Sequence, residues 1–341
     1  MIKIDDWVIE KGEKAQGKIE IIGCGMAMPA TVICGAEDGP TILITAGIHS
    51  AEYVGIQAAM ELAKEFQPEK LKGNVIIIPL VNVSGFEHRT MSMVYEDGKN
   101  LNRVFPGNPE GTAAERIAYT IVKKLFSITD YYIDLHSGDG YEQLHPYVYY
   151  VGVVDEDTVE KSLHMARHIG VKYVVRSTTA TGGAYNYAAS LGIPSILIER
   201  GGHSYWTWEE VEQDKRDVRH LILHLQGKDK MVDIPFVRHL ILHLQGKKCQ
   251  GLKHYRQMLL ENVVYEYAPY TGCWYPSKKP GEYFFKGEDL GELRDYYGNL
   301  LYTSVATENG VVLYQTASLN IIEDGPMIAY AAITETLFES E

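Results

Sequence analysis

The sequence predicts an α/β fold, in which helices cover both faces of a mixed, mainly parallel central sheet, followed by a small all-β domain. The first observation is a series of strand-like runs at residues 41–45, 74–81, 131–135, 147–154 and 195–198. Several runs are apolar throughout, as expected for strands that are covered on both faces. The second is that helical segments separate these runs, which predicts a three-layer sandwich.

Two of the intervening segments carry clear helix signals. Residues 52–66 follow the first strand-like run and are predicted to form a helix. Thr112 and Glu115 have the spacing of a capping box, and residues 114–126 behind them keep an apolar stripe. Each helix thus begins shortly after a predicted strand or turn, as an α/β alternation requires.

The character of the chain changes after about residue 255. Glycine, tyrosine and short alternating runs dominate at 281–288, 290–293 and 309–314. Closely spaced strands with glycine turns are typical of a small β domain. We therefore predict two domains, 1–250 and 255–341, which also suits a chain of 341 residues. The second domain is expected either to shape the cleft of the first or to be purely structural.

The composition excludes several classes of protein. Apolar residues make up 45% and charged residues 23%, as in ordinary soluble globular proteins. The net charge of −13 argues against a nucleic-acid partner, because phosphates would be repelled. There is no signal-peptide pattern at the N-terminus and no apolar run of the roughly 18 residues that a membrane span needs. Cys24, Cys34, Cys249 and Cys273 are scattered, which suits a reducing cytoplasm. We expect a cytoplasmic protein without a membrane partner; whether it forms a homo-oligomer stays open.

The most informative motif is His49 with Glu52 three residues later, between the first predicted strand and the first predicted helix. A strand end, a glycine-bearing turn and the first turn of a helix can aim both side chains at one point. Zn²⁺ accepts nitrogen and oxygen ligands, and a catalytic zinc site usually takes three protein ligands. Taken alone, such a pair is more often two surface polar residues.

His136 is the candidate for a third ligand, because it ends the predicted strand 131–135, and sites in open α/β sheets form at carboxyl ends of strands. A lone histidine there is more often a structural hydrogen-bonding residue. Asp134 lies on the same strand face by the two-residue period. It could orient the imidazole, as metal-bound histidines usually require.

Two further segments carry candidate substrate and catalytic groups. Arg89, Asn102 and Arg103 lie in or before the turn-rich segment 97–107, and a guanidinium suits recognition of a carboxylate. Glu199 ends the predicted strand 195–198 before two glycines, where it could serve as a general base beside a zinc ion. The alternatives are a solvated loop and a strand-end surface residue.

Together, segments 47–52, 102–107 and 134–136 and the late Glu199 resemble the succinylglutamate desuccinylase/aspartoacylase family, within the zinc carboxypeptidases. The family pattern is Gly-x-His-x-x-Glu, an Asn-Arg-x-Phe-Pro-Gly-like segment, Asp-Leu-His and a late Glu. The resemblance covers about residues 35–205 and, more loosely, the C-terminal part. It implies a zinc carboxypeptidase-like fold with a zinc-dependent catalytic domain at 1–250.

The resemblance also implies one Zn²⁺ per chain and the following roles: zinc ligands His49, Glu52 and His136; general base Glu199; carbonyl-polarising Arg89; and substrate-carboxylate residues Asn102 and Arg103. A tyrosine often assists in this family, but spacing does not choose among the 24 tyrosines. Arg200 stands where relatives often have an apolar residue. Neighbours on a strand point to opposite faces, so Arg200 is expected to pair structurally, away from the site.

The expected activity is hydrolysis of the amide bond of an N-acyl amino acid or a similar small carboxylate-bearing amide. Two alternatives remain: a metallocarboxypeptidase acting on peptides, and a catalytically silent, zinc-stabilised binding protein. Glu199 separates the enzymes from the silent protein, because a silent protein has no need of a base beside three ligands.

One pattern has no functional explanation at this level. Residues 218–228 recur residue for residue at 237–247, and each copy contains two histidines at i and i+4, His220/His224 and His239/His243. Such a pair can hold a metal ion on a helix, but an amphipathic helix with hydrogen-bonded histidines is the commoner explanation. We expect one copy to form the last helix of the first domain.

Overall fold

The structure is a computed structural model that describes residues 1–227 and 257–332. The second copy of the repeat, residues 237–247, therefore lies outside the described residues. The strands up to residue 200 are β1 (Ile2–Ile4), β2 (Trp7–Ile9), β3 (Lys14–Glu20), β4 (Ala27–Cys34), β5 (Glu37–Ala46), β6 (Lys72–Ile78), β7 (Tyr131–His136), β8 (Glu142–Leu144), β9 (Tyr147–Val151), β10 (Tyr173–Ser177) and β11 (Ser195–Glu199).

The helices lie between these strands and after β11. They are α1 (Tyr53–Glu65), α2 (Val83–His88), α3 (Ala113–Lys124), α4 (Glu156–Arg167), α5 (Ala184–Ser190) and α6 (Trp208–Leu225), with short 3-10 helices at Pro68–Lys70, Leu101–Arg103 and Phe126–Ile128. The predicted capping box of α3 is present, because the Glu115 carboxylate accepts the Thr112 backbone N–H at 2.7 Å. The first copy of the repeat begins inside α6, as expected. No helix within 1–227 or 257–332 has the length and apolar character to cross a membrane.

The central sheet has the order β12-β10-β9-β11-β7-β5-β6-β4-β3, where β12 is Met258–Leu260. Parallel pairs join β5 to β6 and β7, β7 to β11, β9 to β10 and β10 to β12. Antiparallel pairs join β3 to β4, β4 to β6 and β9 to β11. The predicted mixed, mainly parallel sheet is thus confirmed.

Helices cover both faces of this sheet. On one face α1, α4 and α6 contribute Leu62, Met165 and Leu221 to a core with the strands. On the other face α3 and α5 contribute Ile117 and Ala188. This three-layer arrangement explains why the middle strands are apolar on both sides.

The C-terminal part is rich in strands, as the sequence predicts. Its strands are β13 (Val263–Tyr267), β14 (Gly272–Pro276), β15 (Tyr283–Phe284), β16 (Asp289–Arg294), β17 (Leu300–Val305), β18 (Gly310–Thr316), β19 (Asn320–Ile321) and β20 (Pro326–Ala332). One sheet has the order β13-β20-β18-β15 and the other β17-β16-β14-β19, and a core that includes Trp274, Leu293 and Met327 lies within this part. Strand β8 pairs with β18, so the C-terminal part also contacts the part of the chain that precedes it.

Arg200 ties the end of β11 to α6. It is 1% exposed, and its guanidinium donates to Asp214 and, at 2.7 Å, to Asp217. Both carboxylates are buried as well. Arg200 therefore pairs structurally, as the strand alternation indicated.

Replacing Arg200 by methionine should lower the free energy of unfolding by about 3–5 kcal/mol, because two buried carboxylates would lose their shared cation. The matched control is Arg219→Met on α6, the helix that carries Asp214 and Asp217, because the ion pair of Arg219 with Glu65 is solvent-exposed. Loss of an exposed pair should cost about 0–1 kcal/mol. Denaturant unfolding of the two variants measures the difference; equal losses would show that the Arg200 pairs contribute no more than a surface pair.

Candidate active site

Two glycines position the His49–Glu52 segment. Gly47 has φ +65°, and a Cβ there would lie 2.8 Å from Leu80 Cδ1, so the turn after β5 needs glycine. Gly55, in the first turn of α1, would place a Cβ 2.8 Å from Leu135 Cβ. Because glycine has no Cβ, α1 can approach β7 closely at this point. This approach brings Glu52, the residue before α1, to the end of the strand that carries His136.

His49, Glu52 and His136 form one cluster. Glu52 Oε1 lies 2.8 Å from His49 Nδ1, and Glu52 Oε2 lies 2.8 Å from His136 Nδ1. Glu52 and His136 are each 2% exposed. One ligand atom from each residue lies within 4.8 Å of the others, close enough for the three to hold a metal ion.

The outer nitrogens of both imidazoles face acceptors. His49 Nε2 lies 3.0 Å from Asn100 Oδ1, and His136 Nε2 lies 3.3 Å from Asp134 Oδ2. Asp134 is itself held by Thr45, which donates to Oδ1 at 2.7 Å. A metal-bound histidine usually directs its second nitrogen at such an acceptor, which selects the tautomer and leaves the first nitrogen for the ion. Two Nδ1 atoms and a carboxylate are a donor set that fits Zn²⁺.

The charges of the cluster favour a cation at its centre. Burial by itself raises the pKa of the Glu52 carboxyl, but the charges of His136 and His49 outweigh it and lower that pKa to about 2. Burial opposes a charge on His136, yet Glu52 and Asp134 raise the pKa of its imidazole well above the usual value. A positive charge at this point is therefore stabilised by buried carboxylates.

Glu199 lies beside the cluster. It pairs with His136 in the register between β11 and β7. Burial and the neighbouring Glu52 charge raise the pKa of the Glu199 carboxyl well above the usual value. Its buried Oε2 has no hydrogen-bond partner within the described ranges. The structure thus holds a carboxyl group with unused hydrogen-bonding capacity next to the candidate metal ligands.

Asp139 and Glu142 are acidic residues of this region that the sequence reasoning missed. The Asp139 N–H donates to Glu142 Oε2 at 3.3 Å. Burial, Asp139 and Glu52 raise the pKa of Glu142 to about 7, and burial raises that of Asp139. Glu142 lies on β8, which is held by β18 from the far end of the chain. No local sequence pattern predicts the pairing of β8 with β18.

Asn100 is the other residue the motif reasoning missed. Besides facing His49, its Oδ1 accepts the N–H of Asn102 at 2.9 Å. The Asn102 side chain is 5% exposed and accepts the Ala184 N–H at 2.8 Å, which joins this turn to the start of α5. A substrate carboxylate only accepts hydrogen bonds, so Asn102 would contact it through its NH₂ group, and this substrate role stays a prediction.

Arg103 is exposed and donates to the Asn102 carbonyl oxygen at 2.9 Å. Burial raises the pKa of Tyr265 and of Tyr314, and the charge of Arg103 offsets a small part of that rise. The charge of Glu199 adds to the rise in the pKa of Tyr265, and the charge of Glu142 adds to the rise in that of Tyr314. Arg103 is therefore near these two tyrosines of β13 and β18.

Four tyrosines, Tyr147, Tyr149, Tyr265 and Tyr314, lie together through ring and hydroxyl contacts. Tyr149 and Tyr265 have hydroxyl oxygens 2.9 Å apart, and the Tyr265 and Tyr314 ring centroids are 6.4 Å apart. Burial raises the pKa of Tyr147 well above its usual value, and the charge of Glu199 adds to the rise. Tyr185 also interacts with the charge of Glu199, so the structure does not single out one assisting tyrosine.

Arg89 caps α2 with φ +57° and is exposed. Two residues later, the Met91 carbonyl accepts from the Ser50 N–H at 2.9 Å and from Ser50 Oγ at 2.6 Å. The Arg89 loop thus runs beside the residue after His49. Its backbone N–H donates to the Phe86 carbonyl oxygen, but among the described residues its guanidinium has no hydrogen bond or ion pair. The catalytic role of Arg89 therefore stays a prediction.

The part of the chain that carries the candidate residues matches a known protein family. A family model described as the succinylglutamate desuccinylase/aspartoacylase catalytic domain matches residues 38–225. The chain belongs to this family. The matched range contains all seven candidate site residues, and the resemblance seen in the motifs is confirmed.

One relative and two solved structures indicate where the chain stands among known proteins. The N-alpha-acetyl-L-2,4-diaminobutyric acid deacetylase of Halomonas elongata is 31% identical over 234 residues, which span 67% of this chain and 65% of that protein. The product-bound ectoine utilization protein EutE (DoeB) from Ruegeria pomeroyi has a TM-score of 0.80 at 21% identity, over 96% of this chain and 98% of the other. The succinylglutamate desuccinylase/aspartoacylase from Rhodobacter sphaeroides has a TM-score of 0.80 at 22% identity, over 96% and 99%. At these identities the two structures show a shared fold.

Proposed function

We propose that this protein is a zinc-dependent hydrolase that cleaves the amide bond of an N-acyl amino acid or a similar small carboxylate-bearing amide. The observation that carries the proposal is the His49–Glu52–His136 cluster with Glu199 beside it. Family membership supports it, as does the activity for which the Halomonas relative is named, the deacetylation of an N-acetylated amino acid.

The metal part of the proposal rests on the donor set. His49 and His136 would offer Nδ1, and Glu52 would offer its carboxylate, which leaves room for water and substrate. Zn²⁺ bound there would act as a Lewis acid that polarises a carbonyl group and activates water for attack. Asn100 and Asp134 would keep the two imidazoles oriented.

Glu199 would act as the general base and then as the acid. Its carboxyl group could take a proton from the attacking water and deliver it to the leaving amine. A divalent cation at the cluster would oppose the effect of Glu52 and favour the ionised form of Glu199, because opposite charges nearby stabilise a carboxylate. Arg89 would help to stabilise the negative charge that develops on the carbonyl oxygen.

Incubation of zinc-loaded protein with N-acetyl and N-succinyl amino acids and with peptides tests the activity directly. The acetyl series should include Nα-acetyl-2,4-diaminobutyrate, because the Halomonas relative is named for that substrate. We expect release of the free amino acid from at least one acyl series. Cleavage of peptides alone would favour the carboxypeptidase alternative, and no cleavage at all would favour the silent binding protein.

Arg103→Lys tests how the substrate is recognised. Lysine keeps the charge but loses the planar fork that holds a carboxylate with two parallel hydrogen bonds. The loss of a hydrogen bond to a charged group costs about 1.5–3 kcal/mol, and we expect it as a fall in kcat/KM. Steady-state kinetics on the best substrate provides the measurement.

The matched control is the same substrate with its carboxylate replaced by a neutral amide. The parent protein should hydrolyse it poorly, and Arg103→Lys should cause little further loss. If the parent hydrolysed the acid and the neutral analogue equally well, Arg103 would have no carboxylate to hold. The substrate would then be an uncharged amide.

We also propose that the catalytic domain comprises residues 1–250 and the β domain 255–341, and that the protein acts in the cytoplasm. The C-terminal sheets have a core of their own, which supports the division, although β12 joins the central sheet. Through β18 the second domain would shape the side of the cleft that holds Glu142. Among the described residues Cys24, Cys34 and Cys273 form no disulfide, in line with a reducing compartment.

A further inference from the structure

A second group of histidines lies between α4 and α6 and shares no residue with the candidate active site. His164 is in the last turns of α4, His168 follows that helix directly, and His224 is in the last turn of α6. One ring nitrogen from each lies within 4.8 Å of the others. The site is at the surface, since His164 is exposed, His224 is half-buried and His168 is 7% exposed.

The nitrogens of this group are arranged as a ligand set. His164 Nε2 and His224 Nε2 are 2.8 Å apart. His168 Nδ1 lies 2.8 Å from the His164 carbonyl oxygen. A carbonyl only accepts, so Nδ1 of His168 carries the proton and Nε2 keeps its lone pair. This is the tautomer and the backbone contact that orient metal-bound histidines.

The helix ends at this group favour a bound cation. The C-terminal end of α4 and the C-terminal end of α6 meet here, and the negative end of a helix dipole stabilises positive charge within the last turn. The His168 and His224 rings stack with centroids 3.9 Å apart, which keeps both imidazoles in place. His164 and His168 have the i, i+4 spacing that puts two side chains on one helix face.

We propose that His164, His168 and His224 bind one divalent transition-metal ion of the Zn²⁺ or Ni²⁺ type and thereby tie the end of α4 to the end of α6. Imidazole suits this class of ion. Three ligands leave a position for water on the exposed side of His164. The inference does not depend on the proposed hydrolase activity, because no residue is shared.

Binding requires a small, defined rearrangement. With Zn–N bonds of about 2.0–2.1 Å in a tetrahedral site, the nitrogens must lie roughly 3.3 Å apart. The 2.8 Å separation of His164 Nε2 and His224 Nε2 must therefore widen, and the proton between them must leave. The ion should consequently be released when the solution is acidified, because protons compete for the nitrogens.

Metal counting in a His136→Ala background tests the site, since that variant lacks a ligand of the first cluster. Protein stripped with a chelator and reloaded with Zn²⁺ should hold one ion per chain in this background. Adding His164→Gln or His168→Gln should lower the affinity for that ion at least about 10–100-fold, the range found when even supporting residues are lost. His88→Gln is the matched control, because His88 is exposed and lies in neither cluster, and it should change nothing.

Thermal unfolding gives a second readout that does not depend on activity. Zn²⁺ should raise the Tm of the His136→Ala protein and should no longer do so once His164→Gln is added. His164 is exposed, so this exchange leaves the apolar core intact and the folded variant can be compared by circular dichroism. No ion bound in the His136→Ala background, or an ion bound equally well after both glutamine exchanges, would overturn the proposal.

Discussion

His136→Ala should remove the metal ion from the candidate active site and abolish hydrolysis. The variant loses one of three ligands, and Glu52 keeps a buried carboxylate oxygen whose 2.8 Å partner is gone. His49→Ala should act in the same way, because His49 faces the other oxygen of Glu52. A site left with two protein ligands no longer has the composition of a catalytic zinc site.

The measurement is zinc content together with rate, made in a His168→Gln background so that an ion between α4 and α6 is not counted. The parent in this background should hold one Zn²⁺ per chain, and the His136→Ala variant should hold none. Asn100→Ala provides a graded control, because it removes only the acceptor that faces His49 Nε2. Its affinity for zinc should fall about 10–100-fold without being lost. Full zinc occupancy after His136→Ala would disprove the assignment of this ligand.

The sequence predicted the central sheet and its helices because their signals are local. Apolar runs such as 131–135 and 195–198 correspond to β7 and β11, and the capping box at Thr112 marks the start of α3. The predicted ends of strands and helices were less accurate than the predicted positions. The predicted strand 147–154 ends at Val151, and the helix predicted to reach residue 126 gives way to a 3-10 turn after Lys124. Those ends depend on tertiary packing.

Pairings between segments that are far apart in the chain could not be predicted from the sequence. Met258–Leu260 adds a parallel strand to the central sheet, although the composition around it already resembles the β domain. Strand β8 pairs with β18, which places Glu142 in the acidic surroundings of Glu52. Hydrophobic periodicity predicts neither pairing, because both join segments that are far apart in the sequence.

The candidate site was predictable where motifs place residues at strand ends. His49, Glu52 and His136 come together as the motifs indicated, and Asp134 faces His136. Asn100 was missed although it lies in the segment that was singled out, because a turn directs its amide, and not that of Asn102, at His49. His164 and His168 were missed because their partner, His224, lies in another helix, α6.

Glu199→Gln should keep the fold and the zinc ion and lose most of the activity. The amide is nearly isosteric with the carboxyl group and cannot accept a proton from water. Positioned acid–base groups contribute about 10²–10⁴-fold to the rate, so kcat should fall by that factor. Unchanged zinc content would separate this loss from the one caused by His136→Ala.

The matched control for Glu199→Gln is Glu142→Gln, because both carboxyl groups are close to Glu52 and both have a raised pKa. If Glu199 is the base, the rate should respond far more strongly to its exchange than to that of Glu142. The reverse order would move the role of base to Glu142 on β8, and comparable small effects would leave neither residue as the base. Glu199 is favoured because it pairs with His136 across β7 and β11, whereas Glu142 Oε2 already accepts the Asp139 N–H.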